Sequence, residues 1–214
     1  MNLSRIQLNP ARRQGRRLLA SPQAMHAAVL ASFPEPDDER GRTLWRVDHD
    51  GHVVQLYVLS RSTPDFSHLV EQAGWQTRAD TWATRAYAPL LNRVEEGTRW
   101  AFRLTANPTR TVDKKRFGHV TVAQQLQWLV SRSERWGFSI PVDEATSAPV
   151  VTVRDRAMLQ FRRAGSRVTI ARATFEGALL VTDAAAMRDA LVMGFGHAKA
   201  YGCGLMTLAA PRER

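Results

Sequence analysis

A single cysteine, Cys203, stands among 214 residues. The chain can therefore form no internal disulfide and no multi-cysteine zinc site, which fits a reducing compartment and points to the cytoplasm. No run of about 18 apolar residues is present to span a bilayer, and no apolar stretch of signal-peptide length precedes Arg12, Arg13, Arg16 and Arg17. A membrane partner is not expected. Acidic residues are scarce, with 20 Asp plus Glu against 30 Lys plus Arg and a formal net charge of +10. That balance favours a polyanionic partner, nucleic acid foremost. A hydrophobic content of 44% excludes wholesale disorder and is enough for one large core or two compact ones.

Periodicity gives the first half a strand at Leu3–Leu8, then a helix opened by Ser21 as N-cap with Pro22 at its first position and ended by Phe33 and Pro34. Leu44–Val47 and Val53–Leu59 read as a hairpin turned at Asp50-Gly51. A helix near Asp65–Gln72 and a weak strand within Trp75–Ala88 complete the order β-α-β-β-α-β. The second half repeats that order. Trp100, Phe102 and Leu104 share one face of a strand, and Thr121 with Gln124 forms a capping box for a helix whose Val122, Leu126, Leu129 and Val130 share a side. Strands follow at Val150–Val153 and Ala157–Arg163. Ala164-Gly165-Ser166 turns the chain into a long strand, Arg167–Val181, Asp183 caps a last helix, and Leu205–Leu208 is the last strand. The expected architecture is α+β, two tandem ferredoxin-like (RRM-like) domains at 1–94 and 98–214, joined around Asn92–Thr98.

Four glycines, Gly194, Gly196, Gly202 and Gly204, fall within eleven residues that follow the last helix and lead into the last strand. Such a loop lets another molecule approach the main chain closely and suits an anionic backbone. A dinucleotide-binding loop leaves a strand and opens a helix, so the reversed order here excludes that cofactor reading. Gly194 can equally serve as a helix cap.

Basic residues gather at Arg12–Arg17, at Arg110–Arg116, along the Arg154–Arg172 hairpin and at Lys199. The hairpin tip carries Arg162, Arg163 and Arg167, a ribbon that can present guanidiniums to phosphates and guanine edges or lie as a solvated face. The Thr109–His119 segment, with Lys114, Lys115 and Arg116, has no apolar pattern and reads as a loop that phosphate would order. Asp37, Asp38 and Glu39 read as an exposed acidic loop.

Of six histidines, His26 stands apart. Helical spacing puts Gln23 and Leu30 beside it and places Met25, Val29 and Phe33 on a buried stripe about 100° away, so His26 occupies the stripe's rim. An imidazole with a reference pKa near 6.5 can take or give a proton at neutral pH, as RNA cleavage by an adjacent 2′-hydroxyl requires; it can also be a half-buried structural histidine. His49, His52, His68 and His119 read as surface residues. His49-x-x-His52 lacks further ligands at metal spacing, and no nucleophile elbow supports Ser-His-Asp chemistry, so no metal and no cofactor is expected.

Five segments in this order resemble a known family: LSRIQLNPARR (Leu3–Arg13), SPQAMHAAVLASFP (Ser21–Pro34), FRLTANP (Phe102–Pro108), TFEG (Thr174–Gly177) and GFGHAKAYGCGLMTLAAP (Gly194–Pro211). They are similar to the CasE endoribonucleases that cut CRISPR repeats in type I-E systems, within the RAMP superfamily, and the resemblance covers essentially the whole chain. It implies tandem ferredoxin-like domains, metal-independent cleavage of pre-crRNA at the 3′ base of the repeat hairpin, a 2′,3′-cyclic phosphate, and retention of the crRNA with the other Cascade subunits. It makes His26 the catalytic residue. Arg162 and Arg163 match the family's basic hairpin, and Lys115, Arg116 and Lys199 fall near the RNA backbone. Some members carry a tyrosine where this chain has Gln23, an amide that can orient a hydroxyl or phosphate and cannot carry a proton. Lys115, Tyr201 and water remain for that task. The departure leaves a second reading open, a non-cleaving RNA-binding RAMP subunit.

Overall fold

The computed structural model describes residues 1–34, 43–163 and 165–211, with the backbone alone at Arg163. The acidic loop Asp37–Glu39 and Ala164 of the hairpin turn lie outside the described residues. The chain is mixed α+β with antiparallel sheets, and it divides into two compact units, Met1–Leu91 with Lys199–Gly202, and Asn92–Ala198 with Cys203–Arg214.

The first unit contains β1 (Asn2–Leu8), α1 (Arg13–Ala20), α2 (Pro22–Leu30), β2 (Leu44–Asp50), β3 (Val53–Ser60), α3 (Ser67–Ala73), β4 (Trp82–Ala86) and α4 (Ala88–Asn92), the last ending one residue past the unit. Its sheet runs β2-β3-β1-β4. Alternation explains the core: Ile6 and Leu8 from β1 and Val54, Leu56 and Val58 from β3 face Met25 and Val29 of α2, Phe33 just beyond it, and Phe66, Leu69 and Val70 around α3. As expected, Ser21 caps α2, its Oγ accepting from Ala24 N at 3.2 Å, with Pro22 in the first turn. The helix stops at Leu30, a turn before Phe33 and Pro34.

The arginine-rich connection is itself a helix. Only Gly15 and Leu18 of α1 are buried, too thin an apolar pattern to read from sequence, and Gly15 is demanded by proximity: a Cβ there would lie 2.0 Å from Asn9 O. The helix can therefore approach β1's end only with glycine at that position.

The second unit contains β5 (Arg99–Ala106), β6 (Thr109–Val112), β7 (Lys115–Gly118), α5 (Val122–Ser133), β8 (Phe138–Ser139), β9 (Val151–Arg163), β10 (Ser166–Val181), α6 (Ala184–Met193) and β11 (Met206–Ala209). Its sheet runs β11-β5-β10-β8, with β9 also on β10. Three readings are corrected here. Thr109–His119 is a hairpin, not a loop, because Asp113 and Lys114 take the positive φ (49° and 61°) that a two-residue turn requires without the usual glycine signal. The two strands expected at 150–163 are one strand, continued through an irregularity where Asp155 has φ 46° and the register shifts between Arg172 and Thr174. On α5 the capping box forms, but Val122 and Val130 are exposed, and the buried face is Gln125, Trp128 and Leu129. Trp128 takes over because it joins an aromatic cluster, stacking on Phe175 at 6.0 Å and meeting Trp136 at 5.5 Å. Gln125 is buried because its amide bridges His119 O and the Arg156 guanidinium.

The family-like segments FRLTANP and TFEG turn out to clasp each other. Thr105 and Thr174 share a hydrogen bond of 2.8 Å, Glu176 accepts from Arg103 at 2.6 Å and lies 3.5 Å from Arg154, and Asn107 Oδ1 accepts from Ala171 N at 3.1 Å. These residues are scaffold. They fix β5, β9 and β10 side by side, and beyond Ala173, where β5 ends its pairing, β9 and β10 continue as a two-stranded ribbon.

Candidate RNA-cleavage and RNA-binding sites

His26 sits in the middle of α2, half-buried, beside the fully buried Met25 and one turn before Leu30, which is 44% exposed. The rim position expected from the helical period is the position observed. Its Nδ1 is shielded from solvent. Gln23, also half-buried, lies on the same helix one turn earlier.

The turn Lys199–Tyr201 packs against both α2 and β2. Sequence reasoning placed Lys199 in a glycine-rich loop without seeing this neighbour. What holds the turn is Gly202, whose φ is +77° and whose added Cβ would come within 2.6 Å of Cζ3 of Trp45 on β2. Gly196 is seated in the same manner, 3.0 Å from the Trp128 ring by its added Cβ. Gly194 is the C-cap of α6, its N–H donating to Ala190 O at 2.8 Å, and Gly204 links Phe195 N to its own carbonyl and donates to Thr105 O at 2.7 Å. Gly194 is thus the helix cap that the sequence allowed, and packing on two indoles and a chain of backbone bonds give Gly196, Gly202 and Gly204 a structural role beside the anionic-backbone role expected of the loop. Cys203, between them, is wholly buried, and burial pushes its thiol up to about 12, so it is neutral at physiological pH.

At the ribbon, Arg162 and Arg167 are cross-strand partners and both exposed, while Arg167 donates to Gln160 Oε1. Two guanidiniums directly opposed repel each other, and an anion between them would remove that cost. Arg163 continues β9, and its side chain lies outside the described residues. Lys115 and Arg116 are exposed on β7 beside Phe117, which is 47% exposed.

Two histidines depart from the surface reading. His68 is half-buried with its Nε2 3.1 Å from Ala28 O. His119 is half-buried, and burial, with Arg110 and Arg132 adding to it, holds its imidazole below the usual histidine value. His49 and His52 are exposed. Among the described residues no group of three or more His, Cys, Asp or Glu is placed to hold a metal ion, and no helix is long and apolar enough to cross a membrane.

An imidazole at a helix rim, a docked basic turn and an arginine-tipped ribbon equip a chain for handling RNA. Residues 1–210 match the family model described as CRISPR associated protein. The chain is 33% identical to the CRISPR-associated endoribonuclease Cse3 of Thermus thermophilus, over 98% of this chain and 100% of the relative. It is 28% identical to the CRISPR system Cascade subunit CasE of Escherichia coli K12, over 72% of this chain and 80% of that one. The structure of Thermus thermophilus Cse3 bound to an RNA representing a pre-cleavage complex superposes with a TM-score of 0.81 at 31% identity, covering 97% of this chain and 98% of that one. The chain belongs to the CasE family of repeat-processing proteins of type I-E CRISPR systems.

Proposed function

We propose that this protein is a metal-independent endoribonuclease acting in the cytoplasm. It recognises the stem-loop of a CRISPR repeat in pre-crRNA, cuts at its 3′ base to leave a 2′,3′-cyclic phosphate, and keeps the crRNA as a subunit of Cascade. The single observation that carries the reading is His26, an imidazole at the rim of α2 in a chain that aligns end to end with a named endoribonuclease. The nucleophile lies within the substrate: the 2′-oxygen bonds to phosphorus, the bond from phosphorus to the departing 5′-oxygen breaks, and one proton leaves the former as another joins the latter. No metal-bound water is needed for that sequence. His26 moves one of the two protons, and the second carrier is Lys115, Tyr201 or water. Guanidinium and ammonium groups stabilise the charge developing on phosphorus. The strand orders β2-β3-β1-β4 and β11-β5-β10-β9 support reading the units as tandem ferredoxin-like domains, 1–94 with the histidine and 98–214 with the hairpin.

Cleavage of repeat RNA in EDTA tests the proposal. Gln23 favours one competitor, an RNA-binding RAMP subunit that has lost cleavage, and tight binding without product would establish it. Two further outcomes are expected. Arg162→Ala lowers affinity and reduces the slope of log K against log salt by about 0.9, one duplex phosphate contact; an unchanged slope would leave Arg162 in solvent, and Lys115 and Arg116 are tested alike. Gly202→Ala drives a Cβ into Trp45 and displaces the Lys199 turn from α2. Displacements of about 1 Å can cost about 10²-fold in rate, so single-turnover cleavage should drop at least tenfold, with a smaller loss of repeat affinity, read by anisotropy, through the displaced Lys199.

A further inference from the structure

The arginines of α1 divide into two kinds. Arg12 donates to Val70 O at 3.3 Å and Gly74 O at 3.2 Å, closing the end of α3, and Arg16 donates to Ala11 O at 2.6 Å. These two serve the fold. Arg13 and Arg17 are exposed, one helical turn apart on the same face, and among the described residues neither makes an ion pair. With Arg12, Gln14, Glu71 and Gln72 they line an open depression of about 730 Å³.

Among the described residues, three guanidiniums against the single carboxylate of Glu71 give the depression a net positive field. Among the described residues no aromatic side chain lines it, so they offer no platform on which a base could stack, and its affinity would be for phosphate and independent of sequence. One residue, Ser21, separates the end of α1 from α2, and that residue caps the helix carrying His26. A strand departing from a linkage held at His26 therefore has a cationic helix at hand, fixed to the catalytic helix by a shared cap.

We propose that this depression binds the phosphodiester backbone of the single-stranded RNA lying 3′ of the cleavage point, with Arg13 and Arg17 as its phosphate ligands. The site is separate from the β9–β10 ribbon, and the inference rests on the nuclease reading. A stem paired up to the cleavage point leaves the downstream side single-stranded, and a backbone-only grip holds it whatever its bases. Holding both sides of the scissile linkage keeps the 2′-oxygen, phosphorus and leaving oxygen in line.

The test uses the full chain carrying His26→Ala, so that substrate persists, and three RNAs: the repeat stem-loop ending at the cleavage point, the same stem-loop extended 3′ by about eight nucleotides, within the usual span of single-strand sites, and the same stem-loop extended 5′ by as many. The 3′-extended RNA should bind several-fold tighter. Adding Arg13→Ala and Arg17→Ala should abolish that gain, leave the blunt stem-loop's affinity unchanged, and lower the salt slope for the 3′-extended RNA by about 1.4, two single-strand contacts. Affinity for the blunt stem-loop doubles as the check on folding, and Arg13→Gln with Arg17→Gln repeats the measurement with longer side chains retained. Equal weakening of the blunt and 3′-extended RNAs would put the arginines on the stem, and loss of a gain seen only with a 5′ extension would put them on the other strand. Either result, or no change, overturns the proposal. Failure of the parent protein to bind even the blunt stem-loop would instead overturn the nuclease reading itself.

Discussion

His26→Ala binds repeat RNA as the wild type does and cleaves it at least 10²-fold more slowly, the low end of the range of about 10²–10⁴ that a positioned acid–base group contributes. The separation of binding from cleavage follows from where the residue sits. His26 is half-buried on the rim of α2, while the core contacts of that helix are made by Met25 and Val29, with Phe33 just beyond its end. Truncation at the rim leaves the stripe, the Ser21 cap and the exposed arginines intact, so fold and phosphate contacts persist. Gln23 cannot take over, because an amide neither accepts nor releases a proton at neutral pH. Single-turnover cleavage and equilibrium anisotropy on the same preparation read both quantities. Cleavage retained within tenfold would remove His26 from the chemistry, and a parallel loss of affinity would make it a binding residue.

Arg46→Met destabilises the first unit by about 3–5 kcal/mol, the cost of removing one member of a buried ion pair. Arg46 is 1% exposed and grips Asp48 with a fork, Nε to Oδ1 at 2.6 Å and a terminal nitrogen to Oδ2 at 2.8 Å. Its guanidinium also lies 5.4 Å from the centre of the Tyr57 ring on the neighbouring strand. Methionine fills much of the space and leaves the Asp48 carboxylate, itself 9% exposed, without its counter-charge. Against a total stability of about 5–15 kcal/mol for a folded domain, that loss is large. Denaturant unfolding followed by circular dichroism measures it, and Arg46→Met with Asp48→Leu should recover most of it because no buried charge remains. A loss below about 1 kcal/mol would mean that water reaches the pair. The consequence extends to function, since Trp45, the residue before Arg46 on β2, seats Gly202 and with it the Lys199 turn.

Signals that act over a few residues were legible in the chain. The Ser21 and Asp183 caps, the Thr121–Gln124 capping box, the Asp50-Gly51 turn and the rim position of His26 all follow from local chemistry, and each is observed. Misreadings arose where a distant partner overrides local pattern. Gln125 lies outside the apolar face expected for α5 and is buried because His119 O and Arg156 supply its hydrogen bonds, and Asp113-Lys114 does not announce a turn because it lacks the glycine that marks most two-residue hairpins, although aspartate tolerates positive φ. Helix α1 escaped for a related reason: its glycine suits close packing on Asn9, which only the fold reveals.

By itself the sequence determined most of the strands and helices, the basic charge and the helix face on which His26 stands, because caps, turns and periodicity are properties of neighbours along the chain. The tertiary structure alone decided that the glycines near the C-terminus pack on Trp45 and Trp128, that Lys199–Tyr201 lies against the helix of His26, and which arginines of α1 hold the fold and which face solvent. Those facts depend on residues far apart in sequence meeting at van der Waals distance, and no local pattern encodes such a meeting.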